Sequence, residues 1–349
     1  MRVKIDGIKK LGTLMLETAG APEDEANVVM EVLIDTSLRG VDSHGVRAVG
    51  GYAKEIQNGL FLSGENIKVM LDNPVTAMWD TTDVNGYVVG KRAMEAAIEK
   101  ARIYKMGAIG CMGPAHNGAL YWYTNIAVKE DMVGIVLQRG ARQVAAPFGG
   151  IDGRLGTNPL AIGIPAGEEK PILLDMATNA VATGHFLTMN LRGERIPEGW
   201  VIDREGNWIN EYDSEAAGRG DIAPVSFGGL TGEYKGYGIK VVLEALAGAI
   251  GSGCSLDAKG RHDLIYMALD PTGFCKIEKF KSNVDSMIRH IKSSKRRPGF
   301  EDIYLPGEPE SLEKEKRLKE GILLDEIFWE ELMKTAKSLG IEVDEKIIL

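Results

Sequence analysis

The sequence predicts an α/β fold, and two observations carry that prediction. From residue 75 onward, short apolar runs at 75–79, 87–89 and 108–111 alternate with helical patterns over 92–104 and 119–129, and a strand-like run follows at 133–137. Apolar runs punctuated by helices are the pattern of a sheet layered with helices, with some strands parallel. The second observation is bulk: 349 residues, 44% apolar and 26% charged, suffice for one large domain or two interlocked ones.

Ahead of that region, residues 6–38 read as two helices. The first ends at Gly20, and the second opens at Pro22 with Glu23, Asp24 and Glu25 in its first turn, where acids face the positive end of the helix dipole. Val28, Val29, Val32, Leu33 and Thr36 recur at spacings of three and four, so one stripe faces a core, and Gly40 ends the helix. Further on, Asn158-Pro-Leu-Ala-Ile-Gly-Ile-Pro165 and Ile172-Leu-Leu-Asp175 are strand-like. Residues 195–228 mix Gly, Pro and charge with little periodicity and read as a long surface excursion, usually a functional loop or an interface arm. Residues 237–250 read as a strongly apolar helix whose Ala245, Ala247, Gly248 and Ala249 permit close packing. After Leu269 the chain turns basic and helical, with a linker over 294–301 and a closing helix at about 324–339.

A net charge of −9, with no long run of Lys or Arg, argues against nucleic-acid binding. Cys111, Cys254 and Cys275 are scattered and without metal-ligand spacing, which fits reduced thiols in a cytoplasm. The opening Met-Arg-Val-Lys-Ile-Asp has no signal core, and no apolar run approaches the ~18 residues of a membrane helix. Secretion and membrane insertion are not expected.

Chemistry is best sought at the histidines, of which there are five. His44, in Arg39-Gly-Val-Asp-Ser-His-Gly-Val-Arg47, lies just past a helix end. His116, in Gly113-Pro-Ala-His-Asn-Gly118, falls between a strand and a helix, the edge where α/β proteins place ligands. A histidine there also serves as a cap or turn residue, but His44 stands beside Asp42 and Ser43, with Arg47 three residues on. A group titrating near neutrality beside a fixed cation suits a small anion whose hydroxyl must lose a proton. Neither histidine has a carboxylate or cysteine at metal-ligand spacing, so no metal is expected, and no Gly-x-Ser-x-Gly elbow accompanies Ser43. His185, His262 and His290 look solitary.

The 43 glycines exceed the ~7% typical of proteins. Neither a Gly-x-Gly-x-x-Gly after a strand nor a P-loop occurs, so a nucleotide would be held by another scheme. Candidate fragments are Gly149-Gly150, Gly156-Thr-Asn-Pro159, Asp175-Met-Ala-Thr178, Tyr234-Lys-Gly-Tyr-Gly238 and Pro306-Gly-Glu308. Lys235 precedes an expected helix start, where backbone donors and the dipole add to its charge at a phosphate.

Taken together, Arg39-Gly-Val-Asp-Ser-His-Gly45, His116-Asn-Gly118, Pro147-Phe-Gly-Gly150, Gly156-Thr-Asn-Pro159, Asp175-Met-Ala-Thr178 and Lys235-Gly236 make the chain resemble, end to end, the malate/L-lactate dehydrogenase family that is distinct from the Rossmann-fold enzymes of the same names. The resemblance implies a non-Rossmann mixed-sheet core binding NAD or NADP, in layers with helices, and a helical domain built from both termini. It implies an N-terminal helical domain over 1–74, a nucleotide-binding α/β domain over 75–275, and a C-terminal helical segment over 276–349 that packs back on the first. It also implies homodimers. Proton transfer falls to His44 or His116, and Ser43, Arg47 and Thr157 face the substrate. Gly156, Asn158, Pro159, Asp175, Met176, Ala177, Thr178, Lys235, Gly236, Pro306, Gly307 and Glu308 line the cofactor.

The chain departs from the family pattern in three places: Ala48 stands where a substrate arginine is expected, Gln138-Arg-Gly-Ala-Arg-Gln143 is unusually basic, and His185 replaces a lysine. The expected reaction interconverts a small 2-hydroxy acid and its 2-oxo acid, with a histidine taking the hydroxyl proton as hydride leaves the adjacent carbon. Arg47 would grip the carboxylate bidentately. A reductase of a cyclic imine or diketo sugar acid, and a noncatalytic dimer that binds a nucleotide or small acid, are the alternatives.

Overall fold

The computed structural model describes residues 1–181, 189, 194–211, 213, 216, 220–253, 261–343 and 347. A two-stranded pair, β1 (Arg2–Val3) with β11 (Ile322–Leu323), stitches the two ends of the chain together. The main sheet has seven strands: β2 (Lys68–Asp72), β3 (Thr76–Asp80), β4 (Met106–Met112), β5 (Val133–Arg139), β6 (Leu160–Ile164), β7 (Ile172–Met176) and β10 (Asp263–Leu269). Their spatial order is β2-β3-β4-β10-β5-β6-β7. Within this sheet β3 and β4 run parallel and the other neighbours antiparallel. The mixed α/β architecture expected from the sequence is therefore present, and its strand order is not that of a doubly wound nucleotide-binding sheet.

Helices α4 (Gly86–Tyr104) and α5 (Tyr121–Lys129) cover one face of the sheet, and Val89, Met94 and Ile98 pack with Ile109, Tyr123, Val136 and Tyr266 into one core. The run at 87–89, expected to be extended, is instead the first turn of α4. The Asn85 side chain accepts from the backbone N–H of Tyr87 at 3.0 Å and of Val88 at 3.4 Å, and this cap outweighs the extended preference of the two valines.

A second core lies among α1 (Ile5–Thr18), α2 (Glu23–Leu38), α3 (Val49–Gln57) and α9 (Glu326–Ser338), where Ile8, Met15, Val29 and Leu33 meet Leu332 and Ala336. Helix α8 (Glu308–Glu320) lies on α2, while α7 (Ile277–Lys292) sets Val284 and Ile288 against Ile172 of the edge strand β7. The stretch 195–228 is not a plain excursion: β8 (Val201–Asp203) and β9 (Ile222–Pro224) pair antiparallel within it, over buried Val181 and Ile196. The apolar helix also begins earlier than its composition suggests, as α6 (Gly229–Leu243), and continues into a π turn over Glu244–Gly248. Among the described residues no helix is long and apolar enough to cross a membrane.

Candidate active site

The chain leaves α2 into two short 3-10 turns, Asp42–His44 and Val46–Ala48. Arg317 of α8 clamps the first turn, donating to both Asp42 carboxylate oxygens at 2.6 and 3.1 Å and to the Ser37 carbonyl at 2.8 Å. Gly45 must be glycine because a Cβ there would sit 2.0 Å from Ser37 Oγ, which itself accepts from the Val46 N–H at 2.9 Å. The Ser43 hydroxyl pairs with His44 Nδ1 at 2.8 Å. Burial first, and then the charge of Arg47, lower the pKa of His44 below its ordinary 6.5.

His116 arrives from the loop between β4 and α5, and its ring stacks on that of His44 with centroids 5.7 Å apart. The Tyr87 hydroxyl donates to the Tyr52 hydroxyl at 2.9 Å, and Tyr52 in turn pairs with His116 Nδ1 at 2.7 Å. The Gly118 N–H donates to the same nitrogen at 3.3 Å. With Nδ1 engaged, Nε2 is the nitrogen left for another partner. His262 lies 5.9 Å from His116 and pairs through Nδ1 with Gln138 at 2.8 Å, so it is not the solitary residue its sequence suggests. Burial, reinforced by the neighbouring rings, depresses His116 to about 3; burial and the charge of Arg139 depress His262 to about 4. No single stretch of sequence announces this group, because His44, His116 and His262 come from three distant segments.

Ser43 and His44 open onto a cleft of about 370 Å³ whose wall includes Thr157, Pro159, Asp175, Met176 and Ala177. Arg39, Tyr121, Leu173 and Glu310 also line it, and the sequence reading assigned none of these four. A larger groove of about 620 Å³, bordered by Asp6, Lys9, Glu31, Lys91, Trp122 and Lys314, has no histidine on its wall, so size alone does not mark the site.

Several expected contact residues support this wall from behind. Asn158, at φ +37°, accepts the Gly140 N–H on Oδ1 at 2.9 Å and donates to the Lys240 carbonyl at 3.1 Å and to Glu244 at 2.9 Å. Gly156 leaves room for that side chain: a Cβ would lie 2.6 Å from Asn158 Oδ1. Thr178 donates its hydroxyl to the Thr157 and Asn158 carbonyls, each at 3.0 Å. Asp175 accepts the Tyr121 N–H at the start of α5 at 2.9 Å, and burial raises its pKa to about 6. The Pro306 carbonyl accepts from Leu173 N–H at 2.9 Å, and Gly307, at φ +86°, opens α8 so close to Leu173 that a Cβ would lie 2.8 Å from it. Glu308 accepts the Leu305 N–H and pairs with Lys292.

Arg47, Lys235 and Gly236 neither line this cleft nor brace its wall, and His116 stands behind His44 and not on the wall itself. Arg47 donates to the Ser43 carbonyl through Nε and Nη2, at 3.3 and 3.1 Å, and lies 4.6 Å from the Phe328 ring centroid, off the cleft wall. Lys235 is exposed inside α6 rather than ahead of a helix, so no helix N-terminus adds to its charge. Gly236 is a packing residue, since a Cβ would approach the Phe227 carbonyl oxygen to 2.2 Å. The basic run 138–143 resolves into a buried ion pair, with Arg139 donating through Nε and Nη2 to Asp263 and neither side chain exposed. His185 falls outside the described residues.

The family model for malate/L-lactate dehydrogenase matches residues 3–333. A malate dehydrogenase of Pyrococcus horikoshii is 36% identical, the alignment covering 98% of this chain and 96% of the relative. An L-sulfolactate dehydrogenase of Methanothermobacter thermautotrophicus is 34% identical over 99% of each. The crystal structure of malate dehydrogenase from Entamoeba histolytica superposes with a TM-score of 0.93 at 27% identity, covering 98% of this chain and 99% of that one. The chain belongs to the malate/L-lactate dehydrogenase family. It is thereby an oxidoreductase of a class that acts on the CH–OH group of hydroxy acids.

Proposed function

We propose that this protein reversibly oxidises a small 2-hydroxy acid, of the malate, lactate, sulfolactate or ureidoglycolate type, to its 2-oxo acid, with His44 and His116 handling the proton. The observation that carries this reading is the stacked histidine pair whose His44 opens, with Ser43, onto the cleft. The similarity to malate and L-sulfolactate dehydrogenases supports the substrate class.

The cleft suits a nicotinamide dinucleotide, because Arg39 and Glu310 on its wall each keep a buried polar atom, Nε and Oε2, without a hydrogen-bond partner among the described residues. Thr157, Pro159 and residues 175–177 would hold it, with Asn158, Thr178 and Gly307 fixing that wall from behind. Bound NAD or NADP supplies the hydride acceptor. Neutral imidazole takes the hydroxyl proton in oxidation and, protonated, returns it in reduction, assistance worth roughly 100- to 10,000-fold. Tyr52 and Tyr87 fix the His116 ring from behind.

The functional division we propose gives residues 1–74 the His44 turn, 75–275 the nucleotide and 276–349 the closing helices. We propose a homodimer, supported by the apolar side chains of Ile239, Val242, Leu246 and Ile250, which α6 and the turns after it leave exposed. A cytoplasmic location is proposed on the free thiols Cys111 and Cys275.

The test follows nicotinamide absorbance with malate, lactate, sulfolactate and ureidoglycolate, and each cofactor, in the wild type, His44→Ala and His116→Ala. Near wild-type turnover in both variants would remove the histidines from the mechanism. Binding of NADH without turnover of any acid would favour a noncatalytic protein.

A further inference from the structure

The cleft holds a cation with donors to spare. Arg39 caps the C-terminal end of α2, is only 8% exposed, and lines the cleft with Ser43, His44 and Glu310. Its Nη2 donates to the Gly307 carbonyl at 3.2 Å, and its guanidinium carbon lies 4.5 Å from the Tyr121 ring centroid. Its Nε is buried without a hydrogen-bond partner, and its charge acts on the Asp175 carboxyl of the same wall without a direct ion pair among the described residues. The neighbouring arginines are committed: Arg317 to Asp42 and Glu313, Arg47 to the Ser43 carbonyl and Phe328. A guanidinium withdrawn from water is disfavoured unless an oxyanion meets it, and its planar fork matches carboxylate and phosphate alike. Glu310 Oε2, on the same wall, is a buried acceptor with no donor.

We propose that Arg39 is the oxyanion-binding residue of this cleft. It takes a carboxylate or phosphate group of the bound ligand on Nε and one Nη, while Glu310 accepts from a neighbouring hydroxyl. The Gly307 carbonyl and the Tyr121 ring hold the guanidinium plane ready. This assignment rests on the dehydrogenase reading, under which the substrate carboxylate and the cofactor phosphates are the two sources of such a group, and it gives Arg39 the anchoring role that Arg47 is not placed to fill.

The experiment uses the full chain as wild type, Arg39→Gln and Arg39→Lys. Calorimetry measures the Kd of NADH and NADPH, and steady-state kinetics measure the KM of each acid. Arg39→Gln is expected to raise one of these constants by about 10- to 100-fold while leaving the other within about twofold. A rise in KM assigns the carboxylate, and a rise in Kd assigns the phosphate. Arg39→Lys keeps the charge but lacks the fork, so it shows the same selective loss at smaller size and stands in if Arg39→Gln fails to fold. Constants unchanged in both variants, or a loss confined to kcat or Tm, overturn the proposal. If the wild type turns over no acid, the dehydrogenase reading has failed and the cofactor titration alone decides the role of Arg39.

Discussion

The rings of His44 and His116 stack with an interplanar angle of 26°, and the Tyr52 ring lies nearly coplanar with His116 at 19°, its hydroxyl at the imidazole edge. His116 is thus gripped on its face and, through Tyr52, at its Nδ1. Tyr52→Phe keeps the face and removes the grip. The expected outcome is a kcat lower by about tenfold with cofactor Kd unchanged, since a single neutral hydrogen bond is worth roughly that much. Equal losses in kcat and cofactor affinity would mean that Tyr52 is only packing.

Acid should destabilise the protein from near neutrality downward. His116 and His262 titrate in the folded protein at about 3 and about 4, against 6.5 ordinarily. Between those values the unfolded chain binds more protons than the folded one, so the stabilisation is complete above about pH 6.5 and is lost progressively as pH falls toward the folded values. Urea midpoints measured at pH 7.5, 6 and 5 check this, and His262→Gln should flatten the slope. An unchanged slope in that variant would remove His262 from the groups that set acid stability.

The buried pair of Arg139 and Asp263 makes a lopsided prediction. Removing one charge, as in Asp263→Asn, leaves the other uncompensated and should cost about 3–5 kcal/mol in chemical denaturation. Replacing both, as in Arg139→Met with Asp263→Leu, should cost much less, because no charge is then buried. The double variant must still place Ser252, which donates its hydroxyl to Asp263 at 2.7 Å.

Gly236→Ala tests packing. The added Cβ meets backbone, not a mobile side chain, so α6 or the bend at Phe227 must shift. A loss of about 1–3 kcal/mol in stability is expected. If Gly236→Ala instead weakens NADH binding with Tm unchanged, the glycine serves the cofactor directly.

The Ser43–His44 turn was legible because glycine, serine and histidine in a non-periodic stretch mark a loop with chemistry, and the second N-terminal helix carried its acidic first turn, its apolar stripe and its terminal glycine. The central strand β10 was not, since an apolar run such as Leu264-Ile-Tyr-Met-Ala268 gives no sign of which neighbours it will split. Arg39 stayed hidden because an arginine at a helix C-terminus already satisfies the dipole. Arg47 misled for the reverse reason: proximity to His44 in sequence says nothing about which way a long side chain turns once Phe328 offers a ring. In α6, Gly236 belongs to a fragment read as a nucleotide site, and its close approach to Phe227 explains why a glycine stands within the helix.

The turn that carries His44 is completed by residues far along the chain. Gly307 meets Arg39 across 268 positions and Arg317 meets Asp42 across 275, while Phe328 supplies the ring under Arg47. During synthesis the histidine therefore waits, with its helix formed but unanchored, until most of the polypeptide has emerged. Damage to the last helices should silence the enzyme as surely as damage to the histidine, since they brace the histidine's turn and bring Glu310 to the cleft. The chain's end acts as the latch on a lock cut near its beginning.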